Sequence, residues 1–95
     1  MLQDGLTWIH LDRYQQHWLK LDGIEIACVS VCYHPEWPWT VSVQRHRGLE
    51  AKLVGGHAKT LAHGKKMAER WAMANIERLR PEVAARAASR PRHRV

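Results

Sequence analysis

Residues 57–80, HAKTLAHGKKMAERWAMANIERLR, decide the fold, because their apolar side chains recur at helical spacing. With Ala68 as the centre of one face and about 3.6 residues per turn, Leu61, Gly64, Trp71, Ala72, Asn75, Ile76 and Leu79 all fall near it. The opposite face carries Lys59, His63, Lys66 and Arg70, at spacings of four, three and four residues. The pattern predicts one long amphipathic helix from His57 to Arg80. One side is built to lie on apolar surface, and the other holds a row of positive charge.

The residues before it read as strands. Gly55-Gly56 is expected to end an alternating segment, Leu49 to Val54, and to lead into the helix. Before that, His46-Arg47-Gly48 turns the chain. Trp39 to Arg45 alternates: Trp39, Val41 and Val43 face one way, and Thr40, Ser42 and Gln44 the other. His34-Pro35-Glu36-Trp37-Pro38 is a turn, since two prolines so close exclude regular structure. Trp18 to Leu21, Asp22-Gly23 and Ile24 to Tyr33 read as a β-hairpin, because Asp-Gly suits a two-residue type I′ turn. A helical alternative stays open for this part, as Leu11, Tyr14, Trp18 and Leu21 also keep helical spacing. Leu6 to Leu11 alternates weakly, as an edge strand does. Pro81 is expected to stop the helix, leaving Glu82 to Val95 as a basic, disordered tail. The expected fold class is α+β, a single domain over residues 1–81. Its antiparallel meander of three to four strands is covered on one face by a single long C-terminal helix.

The composition bounds the function. Ninety-five residues make one domain with a small core. The formal net charge is +6, half of it contributed by residues 81–95, where Arg86, Arg90, Arg92 and Arg94 stand against Glu82 alone. A basic balance favours anionic partners such as nucleic acid. No apolar run reaches the length of a membrane span, and Met1 to Gly5 lacks the layout of a signal peptide. A cytoplasmic location is expected, the host cytoplasm if the chain is phage-encoded. Cys28 and Cys32 on one strand would be about 13 Å apart, beyond the ~7 Å reach of a disulfide, so reduced thiols are expected.

Several constellations admit a functional and a purely structural reading. The row Lys59, His63, Lys66, Arg70 spans about 16 Å of helix. Like charges at this spacing repel by a few tenths of a kcal/mol per pair, which suits an anion-facing surface; an ordinary solvated face is the competing account. Gly55-Gly56-His57-Ala58-Lys59-Thr60 lacks two of the glycines of a phosphate loop, at Leu53 and Ala58, and reads more simply as a strand-to-helix link with Thr60 as N-cap. Five tryptophans with no phenylalanine is unusual. Trp39 and Trp71 sit on core faces, whereas Trp37 is the candidate for an exposed anchor, as favoured at interfaces and for stacking on bases; packing as a lid on the sheet edge is its alternative. The seven histidines show no metal-ligand spacing, and no cofactor is implied. The carboxylates are scattered and no serine has a nucleophile-elbow context, so no enzymatic activity is expected. Arg86 and Arg90 in the tail suit nucleic acid or an acidic protein, or simple solubility.

Residues 18–27, 39–43 and 68–72 resemble small proteins of phages and prophages. The sheet-then-helix order is also similar to the three-stranded DNA-binding domains of phage-type integrases and AP2 factors. That resemblance implies a major-groove-reading sheet face, here Thr40, Ser42, Gln44, Glu50 and Lys52. Gly64 to Ala68 resembles the second helix of double-stranded-RNA-binding domains, which would require residues 11–21 to be helical. Two functions follow as expectations. The first is a small binding protein holding nucleic acid through the basic helix face and the arginine tail. The second is a phage-type inhibitor of a host protein or nucleoprotein complex, as anti-CRISPR proteins are, using Trp37 and the sheet edge. A homodimer pairing edge strands is a third expectation.

Overall fold

The computed structural model describes residues 5–11, 13, 15–32, 34–47 and 53–89. Five strands form an antiparallel meander in sequential order: β1 (Leu6–Leu11), β2 (Gln16–Leu21), β3 (Ile24–Val31), β4 (Trp39–Val43) and β5 (Leu53–Ala58). A 3-10 turn, Arg45–Arg47, follows β4. Two helices, α1 (Leu61–Ala74) and α2 (Ile76–Ser89), follow β5 and pack against the sheet. The expected α+β meander with helical cover on one face is therefore present, with five strands and two helices among the described residues in place of three to four and one.

The hairpin of β2 and β3 follows from its turn. Asp22 and Gly23 both hold positive φ, 51° and 84°, the pair that a type I′ turn needs to match strand twist. Lys20 and Leu21 then pair with Glu25 and Ile24. The pairing shifts after Leu19, which faces Ala27, so Ile26 is an extra residue in β3. That bulge turns both Ile26 and Ala27 inward, and each is fully buried. Because Gln16–Leu21 is a strand, the helical alternative for residues 11–21 fails, and the likeness to double-stranded-RNA-binding domains fails with it. The strand wins because its alternate residues His17, Leu19 and Leu21 are buried between two partner strands.

The register assigns the faces. Trp8, Leu19, Ala27 and Val43 form one row, and His10, His17, Val29, Val41 and Gly56 the next, all on the helical side. His10 stacks on His17 with ring centroids 3.9 Å apart, and His17 meets the edge of Trp39 at 6.2 Å. The core joins Leu19, Leu21, Ile26, Val29 and Val41 to Ala68, Ala72, Leu79 and Val83, with Trp8, Trp39 and Trp71 packed around it.

The helix reading of residues 57–80 needs three corrections. First, Gly55-Gly56 does not end the strand. Val41 pairs with Gly56 and Ser42 with Val54, so Gly55 is a bulge and the ladder runs on to Ala58. Consequently His57 lies in β5 and Lys59 in the link, and the helix begins after Thr60. The Thr60 Oγ1 accepts the His63 amide at 3.1 Å, so Thr60 is the N-cap. Second, the helix is interrupted at Asn75, whose φ of −116° and ψ of 13° leave the helical region; its side-chain Nδ2 donates to Trp71 O at 2.8 Å, beside its backbone amide at 3.1 Å. Third, Pro81 does not stop it. Residues 82–89, expected to be tail, are helical, and Val83 is 1% exposed. The break that proline imposes falls on the solvent side: Glu77, whose carbonyl loses its donor, and Pro81 are both exposed, while Leu79 and Val83 are buried four residues apart. Residues 90–95 lie outside the described residues.

Small residues bring α1 onto the sheet. Gly64, Ala68 and Ala72 are its buried positions. A Cβ at Gly64 would lie 2.9 Å from Val29 Cγ1, 3.5 Å from Ala58 Cβ and 3.6 Å from Val41 Cγ2. On one flank Trp8 Nε1 donates to Glu69 Oε2 at 2.8 Å, and Lys65 Nζ lies 4.9 Å from the centre of the same indole. On α2, Glu82 accepts from His46 Nε2 at 2.7 Å and from Arg78 at 3.1 Å. None of the described helices is long and apolar enough to cross a membrane.

Candidate nucleic-acid interface

The opposite side of α1 is the basic side. His63, Lys66 and Arg70 are all exposed and stand away from the buried line Gly64, Ala68, Ala72. No carboxylate shares this stripe, because Glu69 is turned to the flank and bonded to Trp8. His63 to Arg70 covers about 10 Å of helix. Lys59, although off the helix, extends the row at its N-terminal end.

That end is built by two connections that meet. Trp39 pairs with Ala58, so the loop entering β4 and the link leaving β5 emerge side by side. The entering loop is held closed at several points. Cys32 N donates to Pro38 O at 2.7 Å, and the Cys32 thiol donates to Trp37 O at 3.1 Å. His34 Nδ1 accepts the amides of Glu36 and Trp37, each at 3.2 Å, which leaves Nε2 as the donor of the neutral ring. These bonds fix the backbone that carries Trp37 while its side chain stays 40% exposed. Lys59 Nζ lies 5.2 Å from the centre of the Trp37 ring, a cation–π contact.

Two clefts share Trp37 as a wall. One, of about 370 Å³, is completed by Lys59, Thr60 and His63. The other, of about 350 Å³, is completed by His34 and His57. Register places them on different sides of the sheet. Ala58 faces α1, where it approaches Gly64, so His57, its neighbour in β5 and the partner of Thr40, faces away. Trp37 therefore stands at the end of the sheet between the helical side and the open side. Among the described residues, no carboxylate lines either cleft.

The structure thus brings Trp37, Lys59 and His63 together and continues them along α1 as Lys66 and Arg70. Arg86 is exposed in the last turn of α2 and lines neither cleft. Arg90 lies outside the described residues. His34 and His57 were not singled out in the sequence; His34 follows no spacing rule and joins the site only through its loop bonds. On the sheet face implied by the DNA-binding resemblance, Ser42 and Gln44 are engaged within the protein. Ser42 is buried, bonded to Cys28 O and Arg45 at 3.4 Å each, and Arg45 lies 4.7 Å over the Trp18 ring. Gln44 accepts from Arg78 at 3.3 Å. Glu50 and Lys52 lie outside the described residues. Cys28 is buried and Cys32 half-buried.

No protein-family model matches this sequence, and no curated protein or solved structure is significantly similar to it. The fold and the site define a small α+β module with a basic helix that ends at an exposed tryptophan.

Proposed function

We propose that this chain is a non-enzymatic nucleic-acid-binding protein that holds the phosphate backbone along the solvent face of α1. The observation that carries this reading is the stripe Lys59, His63, Lys66, Arg70: exposed along its length, free of interleaved carboxylates, and ending at an exposed aromatic ring. Lys59, Lys66 and Arg70 are permanent cations, and neutralising phosphates with them releases condensed counterions. The reading is tested by anisotropy titration of labelled single- and double-stranded oligonucleotides at low salt. Saturable binding that is lost on the double charge reversal Lys66→Glu/Arg70→Glu is expected. Failure to bind any strand at low salt would overturn it.

A second reading draws on a different surface. Edge strand β1 exposes Ile9 at 36% and Leu11 at 41%, both facing the side of the sheet that α1 and α2 leave uncovered. This apolar edge favours a protein contact, and the occupants we propose for it are a host protein or nucleoprotein complex, which a phage-type inhibitor would bind, and a second copy of the chain. Ile9→Lys/Leu11→Lys would abolish such a contact and spare nucleic-acid binding.

A further inference from the structure

We propose that Trp37 is a stacking platform for an unpaired base, and that the nucleic acid this protein prefers is single-stranded. The inference rests on the nucleic-acid reading and adds to it the form of the strand. Three features of the site support it.

The first is the ring itself. Trp37 keeps 40% of its surface exposed, yet four hydrogen bonds hold the loop that carries it. An indole carried on a backbone so held, and left open to solvent, needs less ordering when a flat partner covers it than one on an unbonded loop. The second is access. Clefts of about 350 and 370 Å³ reach the ring from the open and the helical sides of the sheet, each large enough for a base. The third is the order of chemistry. Lys59 lies over one face of the ring, and Thr60 and His63 line the same cleft, on the side from which Lys66 and Arg70 continue. A base therefore takes the face that Lys59 leaves open. A strand whose base lies on Trp37 would have its next phosphates run onto that stripe. Within a duplex the bases stay stacked on one another and present no flat face to the indole, so along a strand only an unpaired base uses both halves of the site. On the other cleft, His34 Nε2–H and His57 offer donors and acceptors to a base edge without demanding one sequence.

The test uses four labelled probes of equal length: a single-stranded oligothymidine, the same length of single-stranded mixed sequence, a duplex, and an abasic deoxyribose-phosphate strand. Affinity is measured for the full chain, Trp37→Ala and Trp37→Phe. Stacking is expected to make Trp37→Ala weaker on both base-bearing single strands by about 5- to 150-fold. Trp37→Phe should recover most of the loss. Duplex and abasic strand should bind wild type and Trp37→Ala alike. The salt dependence should be the same for wild type and Trp37→Ala, since the indole carries no charge. Thermal melts of both variants matching wild type keep folding out of the comparison. Binding of all four probes with no dependence on Trp37 would overturn this inference and leave the nucleic-acid reading standing. Binding of none would overturn both. A polyglutamate peptide of equal charge that bound as tightly as the oligothymidine, with the same dependence on Trp37, would also overturn it.

Discussion

Substituting Gly64 by alanine sets two effects of opposite sign against each other. Gly64 sits in the middle of α1, where helix propensity alone favours alanine by about 1 kcal/mol. The structure opposes that gain. The added Cβ would lie 2.9 Å from Val29 Cγ1, and Val29 is fully buried in the central strand. Val29 is β-branched and has little rotamer freedom to retreat. Ala58 and Val41 close the space on the other sides at 3.5 and 3.6 Å. Overpacking of this kind costs about 1–3 kcal/mol. The net expectation is a destabilisation of about 1 kcal/mol, or a fall in Tm of about 4–8 °C for a domain of this size. The assay is reversible thermal or urea unfolding followed by circular dichroism. Val29→Ala in the same chain should relieve the clash, so the double variant should be more stable than the sum of the two single losses. A Gly64→Ala protein that is more stable than wild type by the full propensity gain would refute the close helix–sheet approach on which the fold rests.

Other consequences are smaller but separable. Val83→Ala should cost about 2–3 kcal/mol through lost burial and cavity, whereas a tail beginning at residue 82 would leave stability unchanged; urea unfolding decides. Gly23→Ala meets no atom within 4 Å, so its cost comes from the positive φ of 84° alone, about 1–2 kcal/mol in chemical denaturation. Glu82→Ala would leave the buried Nε2 of His46 without its partner, an expected loss of about 1–3 kcal/mol that Glu82→Gln should largely restore. His34→Ala removes the acceptor that fixes the Trp37 turn. It should weaken single-strand binding while leaving its salt dependence unchanged.

The parts of the fold that were legible in the sequence are those set by neighbouring residues. Asp22-Gly23 dictates its turn, and the alternation of Trp39, Val41 and Val43 marks its strand whatever the partner. Gly64, Ala68 and Ala72 announce a close-packed helix face. What was misread depends on distant partners. Gly55-Gly56 looks like a stop until β4 offers a ladder that a bulge can follow. Pro81 looks like a stop until Leu79 and Val83 are seen buried on either side of it. The candidate site divides in the same way. His63, Lys66 and Arg70 follow from helical period, and Trp37 from its position between prolines. Their meeting with Lys59, His34 and His57 arises from the pairing of Trp39 with Ala58, which no local pattern encodes.

The central claim is that three fixed cations, Lys59, Lys66 and Arg70, line up on phosphates. The most direct measurement is the slope of log affinity against log salt for a single-stranded oligonucleotide. About three phosphate contacts give a slope near −2, or about a 20-fold loss between ~50 and ~200 mM salt, and Lys66→Glu/Arg70→Glu should bring the slope close to zero. A slope near zero for the wild-type chain, or one that the double charge reversal leaves unchanged, would contradict it.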